Sequence, residues 1–99
     1  MTIEKKTDGT QMMITLAGRL DTTTAPQLEA ELKAGLDGVE QLVLDFEKLD
    51  YLSSAGLRVL LAAQKIMNKQ GSMVVRHVNE TIAEIFEVTG FCDILTIEN

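Results

Sequence analysis

A chain of 99 residues with a net charge of −6 and an isoelectric point near 4.6 has room for one packed unit, expected to span residues 1–99. Its 45% hydrophobic content excludes a disordered chain, and an acidic balance with no basic cluster beyond Lys5-Lys6 argues against direct nucleic-acid binding or docking on an anionic membrane. The single Cys92 excludes an intrachain disulfide, no apolar run is long enough to insert in a membrane, and the polar residues 1–10 do not read as a signal peptide, so the expected compartment is the cytoplasm.

Residues 2–7 and 11–18 flank Asp8-Gly9, a dipeptide suited to the positive φ angles of a tight hairpin turn. Met12, Ile14 and Leu16 alternate with Met13, Thr15 and Ala17, and that period of two predicts a strand. After Gly18-Arg19-Leu20-Asp21, Thr24 and Gln27 fit a capping box, with Pro26 tolerated in the first helical turn. Leu28, Leu32 and Leu36 place one stripe of that helix against a sheet, and Gly38 is suited to end it.

The apolar run Gln41 to Phe46 predicts a strand buried on both faces. A second helix is expected from about Ser54 to Asn68, with Leu57, Leu60, Leu61, Ile66 and Met67 numerous enough to imply deep burial, and Gly71 follows as a stop. Met73 to Arg76 reads as another strand. Asn79 is a good N-cap for a third helix with Ile82, Ile85 and Phe86 buried, closed by Thr89-Gly90, and Ile94 to Ile97 makes a last short strand. The order β-β-α-β-α-β-α-β predicts an α/β fold: a mixed, mostly parallel β-sheet with helices packed against it.

The catalytic inventory is thin, and no enzymatic activity is expected. One His and one Cys cannot build a metal site of the Cys/His type, and His77 reads as a solvated loop residue rather than part of a triad. Cys92 reads as a small, half-buried packing residue. No Gly-x-Gly-x-x-Gly or Walker-type motif is present, and no cofactor is expected. Glu29 and Glu31 lie on adjacent helix faces, and the five Met residues read as core filling.

The stretch Leu49-Asp50-Tyr51-Leu52-Ser53-Ser54-Ala55-Gly56-Leu57-Arg58 is different, because it links a buried strand to a buried helix at the strand's carboxyl end. Its serines fall at a helix N-terminus, where unpaired N–H groups favour anionic oxygen. Either serine could simply cap the helix. Alternatively, Ser54 could accept a phosphate, with Arg58 four residues on and on the same helical face. Gly56 in the first turn would permit close approach of another backbone.

These residues carry a resemblance. Ser53-Ser54-Ala55-Gly56-Leu57-Arg58 after a strand ending near Asp45, with Gly18-Arg19-Leu20-Asp21, Gly71 and Thr89-Gly90-Phe91, resembles the STAS domain shared by sulfate transporters and anti-sigma-factor antagonists. The resemblance implies a free-standing bacterial antagonist that regulates transcription by partner switching. It implies a serine kinase, which is also the anti-sigma factor, as one partner and a PP2C-type phosphatase as another. Alignment through Gly56-Leu57 puts the phosphorylated residue at Ser54, and Asp21, Thr22, Thr23, Ser53, Gly56, Leu57 and Arg58 become expected partner-binding residues, with Leu57 giving apolar contact and Arg58 a polar rim. Many antagonists have Asp where this chain has Ser53, and Ser or Thr where it has Ala55. The rival reading is a constitutive STAS interaction subunit of a transporter or lipid-trafficking complex, with no phosphorylation switch. A nucleotide-binding module is a third possibility, without a phosphate cradle to support it.

Overall fold

A computed structural model describes residues 1–98. The elements in chain order are β1 (Thr2–Asp8), β2 (Gln11–Leu20), α1 (Ala25–Gly35), β3 (Gln41–Leu52), α2 (Ser54–Gln70), β4 (Ser72–Arg76), α3 (Glu80–Thr89), a 3-10 turn (Phe91–Asp93) and β5 (Thr96–Glu98). They form one five-stranded sheet in the order β1-β2-β3-β4-β5. β1 pairs antiparallel with β2, and every other pair is parallel. The mixed, mostly parallel sheet and the element order are those expected from the pattern of apolar residues.

The hairpin forms where Asp8-Gly9 predicts one, but Asp8 pairs with Gln11 and so belongs to the strand. The turn residues are Gly9 and Thr10, with Gly9 at φ 61°, where the absence of a Cβ removes the steric penalty. Alternation then sorts β2: Met12, Ile14 and Leu16 are buried, while Met13, Thr15 and Ala17 lie on the other face and are half-buried.

One face of the sheet carries the core. Leu42, Leu44 and Phe46 of β3 and Met73 and Val75 of β4 join the buried β2 residues. Leu28 and Leu32 of α1, Leu57, Leu60 and Met67 of α2, and Ile82 and Phe86 of α3 belong to the same cluster. Each fully buried side chain of this size contributes about 1.5–3 kcal/mol. The opposite face is more open: Val43 is buried there, flanked in register by Met13 and Val74, whereas Asp45 and Arg76 are only half-buried. β3 is therefore not buried on both faces along its length.

Several boundaries differ from the sequence reading for identifiable reasons. β3 continues to Leu52 instead of stopping near Asp45 or Phe46, because the β2–β3 ladder shifts register twice, between Thr15 and Ala17 and between Gly18 and Arg19. Past Phe46 the buried positions are Leu49 and Leu52, three apart, so the period of two disappears from the sequence while the strand persists. The segment Leu49–Leu52, read as part of a connection, is strand.

The capping box at α1 is absent. Thr24 occupies the N-cap with helical φ and ψ (−102°, −21°), which leaves its side chain without a cap hydrogen bond. The Thr24 hydroxyl instead donates to the Arg19 carbonyl at 2.7 Å and accepts from the Asp21 N–H at 2.8 Å. α1 ends at Gly35, before Gly38. In α2, Leu61 is half-buried and Ile66 is exposed, so deep burial holds only for the stripe facing the sheet. Cys92 is exposed on the 3-10 turn, not half-buried, since the buried residue of that segment is Leu95. Asn79 caps α3 as expected, its side chain accepting from the Ile82 N–H at 2.8 Å. Among the described residues no helix is long and apolar enough to cross a membrane.

Candidate functional site

β2 and β3 run parallel and finish together, with Leu20 paired to Leu52. The segments that leave their carboxyl ends must therefore lie side by side, and these are the Asp21–Thr24 turn and the start of α2. The Ser53 N–H donates to the Leu20 carbonyl at 2.9 Å and joins the two. The residues singled out in sequence at 21–23 and 53–58 thus share one end of the sheet.

The Asp21 turn is tied down by its own side chain. Asp21 Oδ1 accepts from the Thr23 N–H at 3.0 Å, the Thr23 hydroxyl at 2.8 Å and the Thr24 N–H at 3.2 Å. The Thr23 hydroxyl is the largest influence on its pKa; with the N–H groups it outweighs desolvation and holds the carboxyl below its ordinary value of 3.8. Arg19 approaches Asp21 Oδ2 at 3.7 Å and stacks over the Tyr51 ring at 4.2 Å. Thr22 and Thr23 are exposed at the surface of the turn.

Ser53 is the N-cap of α2, with extended φ and ψ (−97°, 175°), yet it makes no side-chain cap hydrogen bond. Its Oγ is buried and has no hydrogen-bond partner. Ser54 is the first residue of the helix and is exposed. The two adjacent serines are thus presented in opposite ways, one hydroxyl inward and the other residue outward.

Two expected contact residues turn inward. Leu57 is only 7% exposed and belongs to the core, so it offers no apolar surface to a partner. Gly56 is buried as well, and a Cβ there would lie 2.6 Å from Leu52 Cδ1 and 2.8 Å from Leu20 Cγ. The glycine lets α2 seat against side chains of the strand ends, not against another backbone. Arg58 does reach the surface, as expected of position i+4 from Ser54.

The sequence reading missed what surrounds Arg58. Thr22, Ala25, Pro26 and Glu29 from the α1 side and Ala55, Arg58 and Val59 from α2 line a shallow cavity of about 180 Å³. A second cavity of about 200 Å³ adjoins it, sharing Glu29 and Val59, and extends between α1 and α2 to Ile66. The two form one trough that begins at Ala55 and Arg58 in the first turns of α2. Its signal in the sequence is faint: small or exposed apolar residues at Ala55, Ala62 and Ile66 on the flank of an otherwise amphipathic helix.

His77 is exposed in the loop after β4, as expected, but it is not without partners. It takes φ 58°, uncommon for a residue with a Cβ, and its Nδ1 lies 2.9 Å from Asp45 Oδ1 and 3.9 Å from Glu47 Oε2. Burial pushes the Asp45 carboxyl up, but the Glu47 N–H, His77 and Arg76 together leave it lowered. Asp45, Glu47 and His77 are the described residues that could hold a metal ion together, although Arg76, beside Asp45 in register, opposes a cation there.

Comparison with known proteins places the chain in a family. Residues 3–96 match the family model described as Mlab, STAS domain. The chain is 43% identical over 96 residues to a candidate anti-sigma factor antagonist, BtrV, of Bordetella bronchiseptica, covering 95% of this chain and 82% of that protein. It is 32% identical over 98 residues to the anti-sigma-B factor antagonist of Listeria monocytogenes, covering 96% and 85%. The anti-sigma factor antagonist SpoIIAA superposes in its unphosphorylated form with a TM-score of 0.79 at 17% identity (99% of this chain, 88% of that one). In its phosphorylated form the TM-score is 0.77 at 18% identity (99% and 92%). On the family match over residues 3–96 and the 43% identical relative, the chain belongs to the STAS domain family.

Proposed function

We propose that this protein is a bacterial anti-sigma-factor antagonist acting by partner switching, with Ser54 as the residue whose phosphorylation sets the state. The observation that carries the reading is the exposure of Ser54 at the first position of a 17-residue helix, where capping gives its hydroxyl no task. Both relatives named above, at 43% and 32% identity, carry antagonist names. The domain, residues 1–99, acts as a binding module in the cytoplasm and not as an enzyme.

In this reading a serine kinase, itself the anti-sigma factor, binds the unmodified chain and gives up its sigma factor. Its base takes the Ser54 hydroxyl proton while Oγ attacks the γ-phosphorus of ATP, forming the phosphoester and releasing ADP. A PP2C-type phosphatase hydrolyses the ester and returns the hydroxyl. The docking patch is the exposed surface at Thr22, Thr23 and Ser54, shaped by Asp21 and edged by Arg58. Ser53, Gly56 and Leu57 hold that patch from beneath. A phosphate adds close to two negative charges to it and opposes docking, while the positive end of α2 tolerates the charge.

The rival reading, a constitutive subunit of a transporter or lipid-trafficking complex, would leave Ser54 unmodified on a permanently covered face. Neither reading needs a nucleotide site. Incubation with the kinase encoded beside the gene and ATP, followed by mass-spectrometric mapping, tests the switch: phosphate is expected on Ser54 and not on Ser53. In pull-downs, Ser54→Ala should retain the kinase and Ser54→Asp should lose it; equal binding would remove the electrostatic switch.

A further inference from the structure

Arg58 stands at the mouth of the α1–α2 trough with no ion pair among the described residues, while Glu29, the acid of the same cavity, is engaged by Lys33 at 2.9 Å. The trough therefore presents one uncommitted charge, a guanidinium, above an apolar floor that includes Val59, Ala63 and Leu32 and ends at the exposed Ile66. An acidic side chain on an otherwise apolar segment complements that arrangement. Ser54 and Arg58 are four residues apart on one helix, both exposed, so their side chains are neighbours on one surface.

We propose that Arg58 is the residue through which the Ser54 phosphate is read. In the unmodified chain its guanidinium takes a carboxylate of the anti-sigma factor, whose apolar segment lies in the α1–α2 trough. In the phosphorylated chain the same guanidinium turns one helical turn back onto the phosphate. Modification then removes the partner's anchor as well as adding repulsive charge. This rests on the antagonist reading, and it adds the chemistry of the docking segment and the means by which the phosphate acts on it.

The phosphate contact is tested without any partner. With phosphoserine installed at position 54 during synthesis, phosphorus NMR follows the second ionisation of the phosphate, ordinarily near pH ~6. Arg58→Gln should raise that pKa relative to the wild-type side chain, and Arg58→Lys should restore part of the depression. Equal values in all three would overturn the contact. Because Arg58 is exposed, the Gln variant should keep the wild-type circular dichroism and melting temperature.

The docking half is tested by calorimetry with the anti-sigma factor encoded beside the gene. Arg58→Gln and Ile66→Glu should each weaken binding of the unmodified chain about tenfold. Arg58→Gln should also narrow the affinity ratio between unmodified and phosphorylated chain. Wild-type affinity in both variants would overturn it, as would an Ile66→Glu change that dissolves a dimer of this chain yet leaves partner binding unchanged. If the wild-type chain itself fails to bind, the antagonist reading and the docking half fall together, whereas the NMR result still decides the Arg58–phosphate contact.

Discussion

The N–H of Ser53 donates to the carbonyl of Leu20 at 2.9 Å, so the residue that opens α2 is bonded to the residue that ends β2. The bond ties the Asp21 turn to the start of α2, which the Leu20–Leu52 pairing sets side by side although more than thirty residues of chain separate Asp21 from Ser54. It also fixes the Ser53 backbone so that its side chain points inward, away from the helix N–H groups it would otherwise cap.

Ser53→Ala should therefore break the usual rule for N-cap serines. Removing a capping serine ordinarily costs about 1 kcal/mol. Here the Oγ is buried and unpartnered, and its loss relieves a desolvated polar atom, so unfolding in urea should show stability unchanged or raised by up to about 1 kcal/mol. A drop of the ordinary capping size would contradict the geometry.

Gly56→Ala should destabilise, against helix propensity. Alanine favours the helix by about 1 kcal/mol, but its Cβ would sit 2.6 Å from Leu52 Cδ1 and 2.8 Å from Leu20 Cγ. Forcing a methyl into a packed core costs about 1–3 kcal/mol. A lowered urea midpoint is expected, and a stabilised variant would show that the strand-end leucines yield freely.

Gln64 is the one buried polar residue among the described side chains, at 6% exposure, and its Oε1 has no partner while Nε2 donates to Asn68 at 2.8 Å. Gln64→Met keeps the volume and removes the orphaned oxygen. A gain of about 1 kcal/mol is expected, equivalent to a rise in Tm of about 4–8 °C for a chain of this size. Calorimetry checks it, and a lower Tm would mean the Asn68 bond outweighs the orphan.

Asn79→Ala should lose two bonds at once, because the side chain accepts from the Ile82 N–H at 2.8 Å and donates to the Leu49 carbonyl at 3.0 Å. The second bond ties α3 to β3, so the expected loss is about 2 kcal/mol, the upper end of capping effects. Asn79→Asp keeps the acceptor only and should fall between the two in a denaturant titration.

Asp21→Ala tests the turn through pH. The folded carboxyl has a lowered pKa, so the folded state favours the ionised form; the stabilisation is present above the ordinary value of 3.8 and is lost as pH falls through the lower folded value. Wild type should exceed the variant in urea midpoint at neutral pH, with the gap closing in acid below that value. A gap that persists at full strength in acid would show that the hydroxyl and N–H bonds do not need the charge.

Much of the fold was legible because local pattern and tertiary environment agree. The alternation of Met12, Ile14 and Leu16 survives as a buried face, and Leu28 and Leu32 face the core as their spacing requires. The end of β3 was hidden because the bulged register replaces the period of two by Phe46, Leu49 and Leu52. Thr24 and Gln27 match a capping box in letters only, since the Arg19 carbonyl and the Asp21 N–H engage the threonine hydroxyl.

By itself the sequence determined the element order, the mixed sheet and the place of Ser54 at the head of the second helix, because apolar periodicity and turn residues act over a few neighbours. Only the tertiary structure decided which of two adjacent serines faces solvent, that Leu57 belongs to the core, and that Arg58 opens onto a trough between α1 and α2. Those outcomes depend on where Leu20 and Leu52 end and on how closely α2 seats over them. Such relations join residues far apart in the chain, and no local pattern records them.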